Sequence, residues 1–352
     1  FAFWRLGLFV ITYFGSKILP PASNGALGAP TFAKAYDYWL SWAQWDGGYY
    51  FRIAQSGYSV LNDYAFLPLY PTLLHLLDVL VKNTLLSGLL ISNFSTLIFL
   101  IVFYKFLKET YPKFAKSTLI TFLCFPTTFF AVAFYSEGLF LLLVAATFYF
   151  MYKNKYFYTT LAIILASLTR IVGIFLVVSF AYKYFATFRK IESKVVCVFT
   201  SAAGFIAYAL FLFSKLGNPF AFVGIQSLWT RNIDDPLSTI FSYIIKFISA
   251  PNQPLDQYFD FIVTVFFIGV LIWGIKKINS SLWIFSMLVI LIPASSGTLT
   301  SMPRYVLSSL GAFVVIGSFL EDHPKLKIPV WTISLTLQAL LAVKFISGYW
   351  VA

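Results

Sequence analysis

The 352-residue sequence predicts an all-α protein that threads a membrane many times and gathers its chemistry at one end of its helices. Four observations predict it. Hydrophobic residues make up 60% of the chain and charged residues only 11%, whereas a soluble globular domain is nearer half apolar and a quarter charged. The mean hydropathy is +0.82. Lys and Arg fall at the ends of long apolar runs, as membrane-flanking cations do. Aromatic residues reach 20%, with 41 Phe, 22 Tyr and 9 Trp, rings suited to lipid contact and headgroup belts.

A span needs roughly 20 apolar residues, fewer where a helix is re-entrant or paired with another short one. The first apolar run, 3–20, reads as a spanning helix rather than a separable secretory signal. A long outer loop, 21–65, follows, then an amphipathic stretch at 66–81 that is not counted as a span. Spans are expected at 86–104, 117–134 and 138–152. The 157–169 and 171–182 segments read as two half-length helices broken at Arg170. After 195–214 comes a second long outer loop, 215–257, and then spans at 258–275, 280–294, 304–320 and 328–346. The total is about 9 to 11 crossings in one transmembrane domain, 1–352. Both long loops carry Trp, Tyr, Pro, Gly and acids rather than Ser/Gly linker composition, and long loops of that kind are more often functional than disordered. No internal repeat or low-complexity tract is visible.

Orientation follows from basic residues in short connections. Lys105, Lys108, Lys113, Lys116, Lys153, Lys155, Lys183, Arg189, Lys190, Lys194, Lys276, Lys277, Lys325 and Lys327, with Arg5, make 15 of the 25 basic residues and are assigned to the cytoplasmic face. The other face and the membrane interior hold 9 of the 13 acids. Polar motifs then collect on the non-cytoplasmic side: Trp45-Asp46-Gly47-Gly48-Tyr49-Tyr50, Ala65-Phe66-Leu67-Pro68-Leu69-Tyr70-Pro71, Tyr135-Ser136-Glu137-Gly138, Leu168-Thr169-Arg170, Ser301-Met302-Pro303-Arg304-Tyr305 and Gly348-Tyr349-Trp350. None of these motifs entered the orientation argument.

Several chemistries find no support. The net charge of +12 belongs to membrane flanks rather than to nucleic-acid binding. Cys124 and Cys197 lie in separate apolar runs, as small buried hydrophobes. His75 and His323 have no Cys or His at ligand spacing, so no zinc site is visible and no metal or cofactor is expected. There is no G-x-x-x-x-G-K-[ST] loop for a nucleotide and no Asp-x-Asp for a metal-bound nucleotide sugar. Two histidines cannot furnish a credible Ser/His/Asp set. The Asn93-Phe94-Ser95 sequon lies inside an apolar span.

Ionisable residues at membrane depth are costly and invite a functional reading. Asp46 sits among aromatics and glycines, a setting in which a carboxylate can act as a base and a ligand can approach closely; a helix cap or a surface Asp fits the spacing equally. Arg52, Arg170 and Arg304 suit a phosphate, against the alternatives of snorkelling or pairing with a nearby acid. Glu137, at an outer turn, reads as the partner of one of these arginines.

The motifs together resemble the PIG-V family of GT-C glycosyltransferases. Trp45-Asp46-Gly47-Gly48-Tyr49-Tyr50-Phe51-Arg52-Ile53-Ala54, Gly57-Tyr58 and Ala65-Phe66-Leu67-Pro68-Leu69-Tyr70-Pro71 carry most of the likeness. Tyr135-Ser136-Glu137, Thr169-Arg170, Gln226 with Trp229 and Arg231, and Pro303-Arg304-Tyr305 add to it in order along the chain. The short chain and the Gly348-Tyr349-Trp350-Val351-Ala352 ending look more like prokaryotic members, which places the protein in a prokaryotic cell membrane, or in the endoplasmic reticulum if it is eukaryotic. The resemblance implies a GT-C fold and a polyprenyl- or dolichyl-phosphate-mannose donor, with a glycan or glycolipid acceptor. It places Asp46 at the catalytic acid's position and implies inverting transfer on the non-cytoplasmic side. Arg304 and Arg170, with Arg52 or Arg231, would then bind the donor phosphate. Trp45, Tyr49, Tyr50, Tyr70, Glu137, Gln226, Trp229 and Tyr305 would contact sugar or acceptor. The rival from another class is a multi-pass transporter or lipid flippase using the same outer charges as gates. Convergence of Asp46 and Arg304 on one outer cavity would favour the enzyme.

Overall fold

Every regular element among the described residues is a helix. The computed structural model describes residues 1–22, 37–188 and 191–351. Residues 23–36 of the first outer loop, with Arg189 and Lys190 of the basic set and Ala352, lie outside the described residues. In chain order the helices are α1 (Ala2–Ile18), α2 (Asp46–Ser56), α3 (Leu69–Val81), α4 (Thr84–Thr110), α5 (Ala115–Cys124), α6 (Glu137–Tyr152), α7 (Tyr156–Ser167) and α8 (Phe175–Thr187). There follow α9 (Val195–Thr200), α10 (Ala203–Leu216), α11 (Ala221–Ile225), α12 (Pro236–Ser249), α13 (Leu255–Trp273), α14 (Ser280–Ala294), α15 (Met302–Tyr305), α16 (Leu310–Asp322) and α17 (Pro324–Ile346).

Among the described residues α4, the α9–α10 run Val195–Leu216, α13 and α17 are long and apolar enough to cross a bilayer alone. The bent pair Met302–Ser308 and Leu310–Asp322, with 80° between its halves, counts as a fifth. The other expected spans are shorter helices. The 117–134 span needs correction: α5 ends at Cys124, ahead of Pro126, and the chain turns back through a 3-10 turn, Thr128–Val132. Proline cannot continue the helix and pushes the residue before it to extended backbone, as found at Phe125. The break at Arg170 is present between α7 and the 3-10 turn Ile171–Ile174.

The two long segments read as loops also carry helix: among the described residues of the first, 37–65, lie α2 and the 3-10 turns Leu40–Ala43 and Leu61–Ala65. Residues 215–257 hold α11, a 3-10 turn and the 14-residue α12. The start of α12 carries an ordinary sequence signal: Asp235 caps it by accepting from the Leu237 and Ser238 N–H groups at 2.9 Å each, with Pro236 next. Its Leu237, Phe241, Ile245 and Ile248 point outward and exposed, the arrangement of a helix lying on lipid.

Packing follows small residues. A Cβ on Gly138 would lie 2.4 Å from the Ala131 carbonyl oxygen and 2.5 Å from Thr96 Oγ1, so the start of α6 presses against α4 only because that side chain is absent. Helix faces away from the core stay apolar and exposed, as with Phe94, Ile98 and Ile101 of α4 and Ile262, Val265 and Phe266 of α13. In a bilayer those faces meet lipid. Lys153 bonds Glu109 at 2.7 Å, Lys113 bonds Asp322 at 2.8 Å and Lys327 bonds Glu321 at 2.7 Å. The connections following α4, α6 and α16 are therefore tied together at one end. The 16-residue α6 puts Glu137 roughly 24 Å from that end, at 1.5 Å per residue. Arg5 does not join the basic end: its Nε donates to Asn93 Oδ1 at 2.9 Å and its guanidinium lies 4.9 Å from the Trp42 ring.

Candidate active site

Four interruptions of helix deliver the charged side chains. Trp45 adopts φ 55°, ψ −117° just before α2, a strained conformation for a residue with a side chain. It makes Asp46 the first residue of α2, where the N–H groups favour a carboxylate. Gly47 lets that turn approach the Phe134 carbonyl oxygen, which would sit 3.2 Å from a Cβ. Arg170 is extended between α7 and the following 3-10 turn. Ser301, at φ 70°, starts the four-residue α15 that carries Arg304 and Tyr305. Thr230, at φ 58°, ends the 3-10 turn Gln226–Trp229 and turns the chain into Arg231.

These pieces meet at one cavity of about 520 Å³. Its walls include Trp45, Asp46, Tyr49, Tyr50, Arg170, Gln226, Trp229, Arg231, Arg304 and Tyr305, with Thr300 and Trp350. Arg304 is 7% exposed, and each of its three guanidinium nitrogens meets a carboxylate oxygen. Its Nη1 lies 2.7 Å from Asp46 Oδ2, while Nε and Nη2 donate to Glu137 Oε1 at 2.9 and 2.6 Å. Arg170 Nη1 reaches the same Glu137 oxygen at 2.6 Å. Glu137, read as the partner of one arginine, thus joins two, and its Oε2 has no partner. Two guanidinium groups and two carboxylates form a connected set, the condition under which buried charge is tolerated. Only Asp46 among the four is substantially open, with 29% of its side chain exposed.

Arg231 is held differently. It donates from Nη1 to the Tyr305 hydroxyl at 2.9 Å and from Nη2 to the Thr300 carbonyl at 3.1 Å. Both partners are neutral. Arg170 and Arg231 each place Cζ 5.6 Å from the Tyr305 ring centroid. Tyr49 stacks on Phe66 at 4.7 Å and meets Trp229 at 6.0 Å, building an aromatic wall between them. Tyr50 shares a hydrogen bond with Ser136 at 2.8 Å.

Three expected site residues are not in the cavity lining. Arg52 pairs with the buried Asp63 and sits over the Tyr49 ring at 4.9 Å, outside the cavity lining. Tyr70 is fully buried, with its hydroxyl 3.0 Å from Ser92 Oγ. Glu137 stands behind the lining rather than in it. Residues the motifs did not single out also belong to the neighbourhood. Thr300 holds Arg231, and Trp350, whose motif was noted without a role, lines the cavity. Asp260 of α13, 1% exposed with Oδ1 unbonded, lies within electrostatic reach of Arg231. Among the described residues no group of three or more His, Cys, Asp or Glu is placed to hold a metal ion.

No family model matches the sequence, and a search of curated proteins finds no match. Among solved structures, this chain is similar to the crystal structure of ArnT from Cupriavidus metallidurans bound to undecaprenyl phosphate, with a TM-score of 0.54 at 12% identity. The match covers 97% of this chain and 63% of ArnT, so the chain spans less than two thirds of that protein's length. The likeness establishes the fold: an all-α, multi-pass membrane protein with the GT-C arrangement of helices.

Proposed function

We propose that the chain is an inverting glycosyltransferase of the PIG-V type that moves a sugar from a polyprenyl- or dolichyl-phosphate-linked donor to an acceptor hydroxyl at the non-cytoplasmic face. Mannose is the sugar that the resemblance to the PIG-V family implies. The observation that carries the proposal is the convergence of Asp46, Arg170, Arg231 and Arg304 on one cavity. The structural neighbour holds undecaprenyl phosphate, which supports a donor of that class.

In this reaction Asp46 takes the proton of the acceptor hydroxyl. Arg304 holds its Oδ2 at 2.7 Å, and Oδ1 is assigned to the acceptor. The acceptor oxygen forms its bond to the anomeric carbon while the bond from that carbon to the phosphate oxygen breaks, and the electron pair leaves on the phosphate. Arg170 and Arg231 stabilise the charge that develops there. Arg304 is assigned to orienting Asp46 rather than to the phosphate, because its donors are occupied. What favours this reading over a transporter is that the charged groups meet at one cavity.

The test is release of lipid phosphate from a short-chain polyprenyl-phosphate-mannose in detergent, comparing wild type with Asp46→Asn. General-base help contributes about 10²–10⁴-fold, so the variant should lose that much turnover while keeping its affinity for polyprenyl phosphate. Equal turnover in the two proteins would remove Asp46 from the role.

A further inference from the structure

Asp260 takes no part in the proton and phosphate steps, yet it is buried beside the groups that do. It lies in α13, a helix long and apolar enough to cross the bilayer, and is 1% exposed. A carboxyl group in that position is costly and calls for a reason. Its helix packs against α15, the four-residue turn that carries Arg304 and Tyr305. The Ser301 N–H, at the start of that turn, donates to the Asp260 carboxyl group.

The other edge of the same peptide belongs to Arg231. A trans peptide is planar and points its N–H and C=O in opposite directions. Here the Ser301 N–H meets Asp260, while the Thr300 carbonyl accepts from Arg231 Nη2 at 3.1 Å. One peptide plane therefore stands between a buried acid and the guanidinium assigned to the donor phosphate. Hydrogen bonds linked in this way polarise one another inside a protein.

That plane needs holding. Ser301 sits at φ 70°, a left-handed conformation that a residue with a side chain rarely adopts. Turning the Thr300–Ser301 peptide over would return φ to the favoured negative side and swing the Thr300 carbonyl away from Arg231. Neighbouring bonds fix the peptides before and after it: the Thr300 N–H donates to Thr298 Oγ1 at 3.2 Å, and the Ser301 carbonyl accepts from the Arg304 N–H at 3.0 Å. The plane between them is held by Arg231 on its carbonyl and by Asp260 on its N–H.

We infer that Asp260 is a positioning residue for the transfer: through the Thr300–Ser301 peptide it holds the Arg231 guanidinium where the lipid phosphate of the donor binds. The inference rests on the transferase reading and adds no bond-making step to it. Asp260 touches neither substrate nor reacting atoms and acts through Arg231.

The experiment measures the Kd for a short-chain polyprenyl phosphate with the full chain in detergent. Asp260→Leu cannot accept the Ser301 N–H and should raise that Kd about tenfold, the scale of one hydrogen bond to a charged group. Asp260→Asn keeps an amide oxygen for the N–H and should stay within about threefold of wild type. In an Arg231→Gln background, Asp260→Leu should change the Kd no further, because the group it positions is gone. A purely structural role in seating α15 would act through Arg304 as well and would persist in that background. If Asp260→Leu fails to fold, Asp260→Ala makes the same comparison. Wild-type affinity in Asp260→Leu, an Asp260→Asn as weak as Asp260→Leu, or an equal loss in the Arg231→Gln background overturns the role of Asp260 and leaves the transferase standing. A wild type that binds no polyprenyl phosphate overturns the transferase reading and this inference with it.

Discussion

Replacing Glu137 by glutamine changes almost no volume and removes one buried negative charge. In the native site Glu137 Oε1 receives two bonds from Arg304, at 2.9 and 2.6 Å, and one from Arg170 at 2.6 Å. With an effective dielectric near 20, each pair is worth about 4 kcal/mol at about 4 Å before desolvation is counted. The amide retains hydrogen bonds worth about 1 kcal/mol net each and escapes the carboxylate's desolvation. Removing one member of a buried ion pair nonetheless typically costs about 3–5 kcal/mol, because the remaining charge is stranded. Here Arg170 and Arg304 would have only Asp46 between them. The melting temperature in detergent should fall by something on the order of 10 °C. Function should split. Asp46, now the only carboxylate for Arg304, should turn over substrate more slowly, while Arg170, released from Glu137, should bind phosphate more tightly. A gain of about 1.4 kcal/mol would lower the Kd for polyprenyl phosphate roughly tenfold. Thermal unfolding, turnover and lipid-phosphate binding measured on Glu137→Gln check this. An unchanged melting temperature would refute Glu137 as the anchor, and weaker phosphate binding would refute Arg170 as a phosphate ligand.

Two further outcomes follow from the same geometry. Arg231→Gln should raise the Kd for polyprenyl phosphate and lower turnover by about 10²-fold, the usual scale for losing one donor to a developing charge, with the fold retained, since its hydrogen-bond partners are the neutral Tyr305 hydroxyl and Thr300 carbonyl; single-turnover kinetics with separate donor binding check it. In a background lacking Cys124 and Cys197, Ser227→Cys should react with a membrane-impermeant maleimide on intact cells and Lys155→Cys should not, both positions being exposed; the reverse labelling would invert the assigned orientation.

Much of this arrangement could be read in the sequence because polar residues at membrane depth are few and each stands out. Arg170 interrupts an apolar run, Asp46 sits among aromatics and glycines and Arg304 follows Pro303 at the start of a span, and a charge so placed must find a partner or a cavity. Partners are what the sequence withheld. Arg304 and Glu137 are 167 residues apart, and nothing local to either predicts that one carboxylate would serve two arginines. Arg52 shows the opposite failure. It looks like the other arginines in isolation, yet its partner Asp63 is 11 residues away and the pair braces the first outer segment. Tyr70 belongs to a motif that stands out for its Pro and Tyr residues, but its hydroxyl is spent on Ser92 in the interior. Helix length was misjudged where proline intervenes: composition makes 117–134 look continuous, and Pro126 ends it.

The division of labour among the arginines bears on how a base can work while paired to a cation. Arg304 spends Nε and Nη2 on Glu137 and Nη1 on Asp46, so one cation is divided between two carboxylates. The shared cation also fixes the carboxylate's orientation, which matters because a base must lie within about 2.6–3.2 Å of the proton it removes. Arg231 completes the argument from the other side. Its bonds to a phenol and a carbonyl are neutral, so exchanging either for a phosphate oxygen replaces an ordinary hydrogen bond by a charge-assisted one. Arg304 would have to surrender a carboxylate to do the same. A donor phosphate therefore gains most beside Arg231 and Arg170, around Tyr305, and the displaced electron pair moves toward the cation that no carboxylate holds by a hydrogen bond.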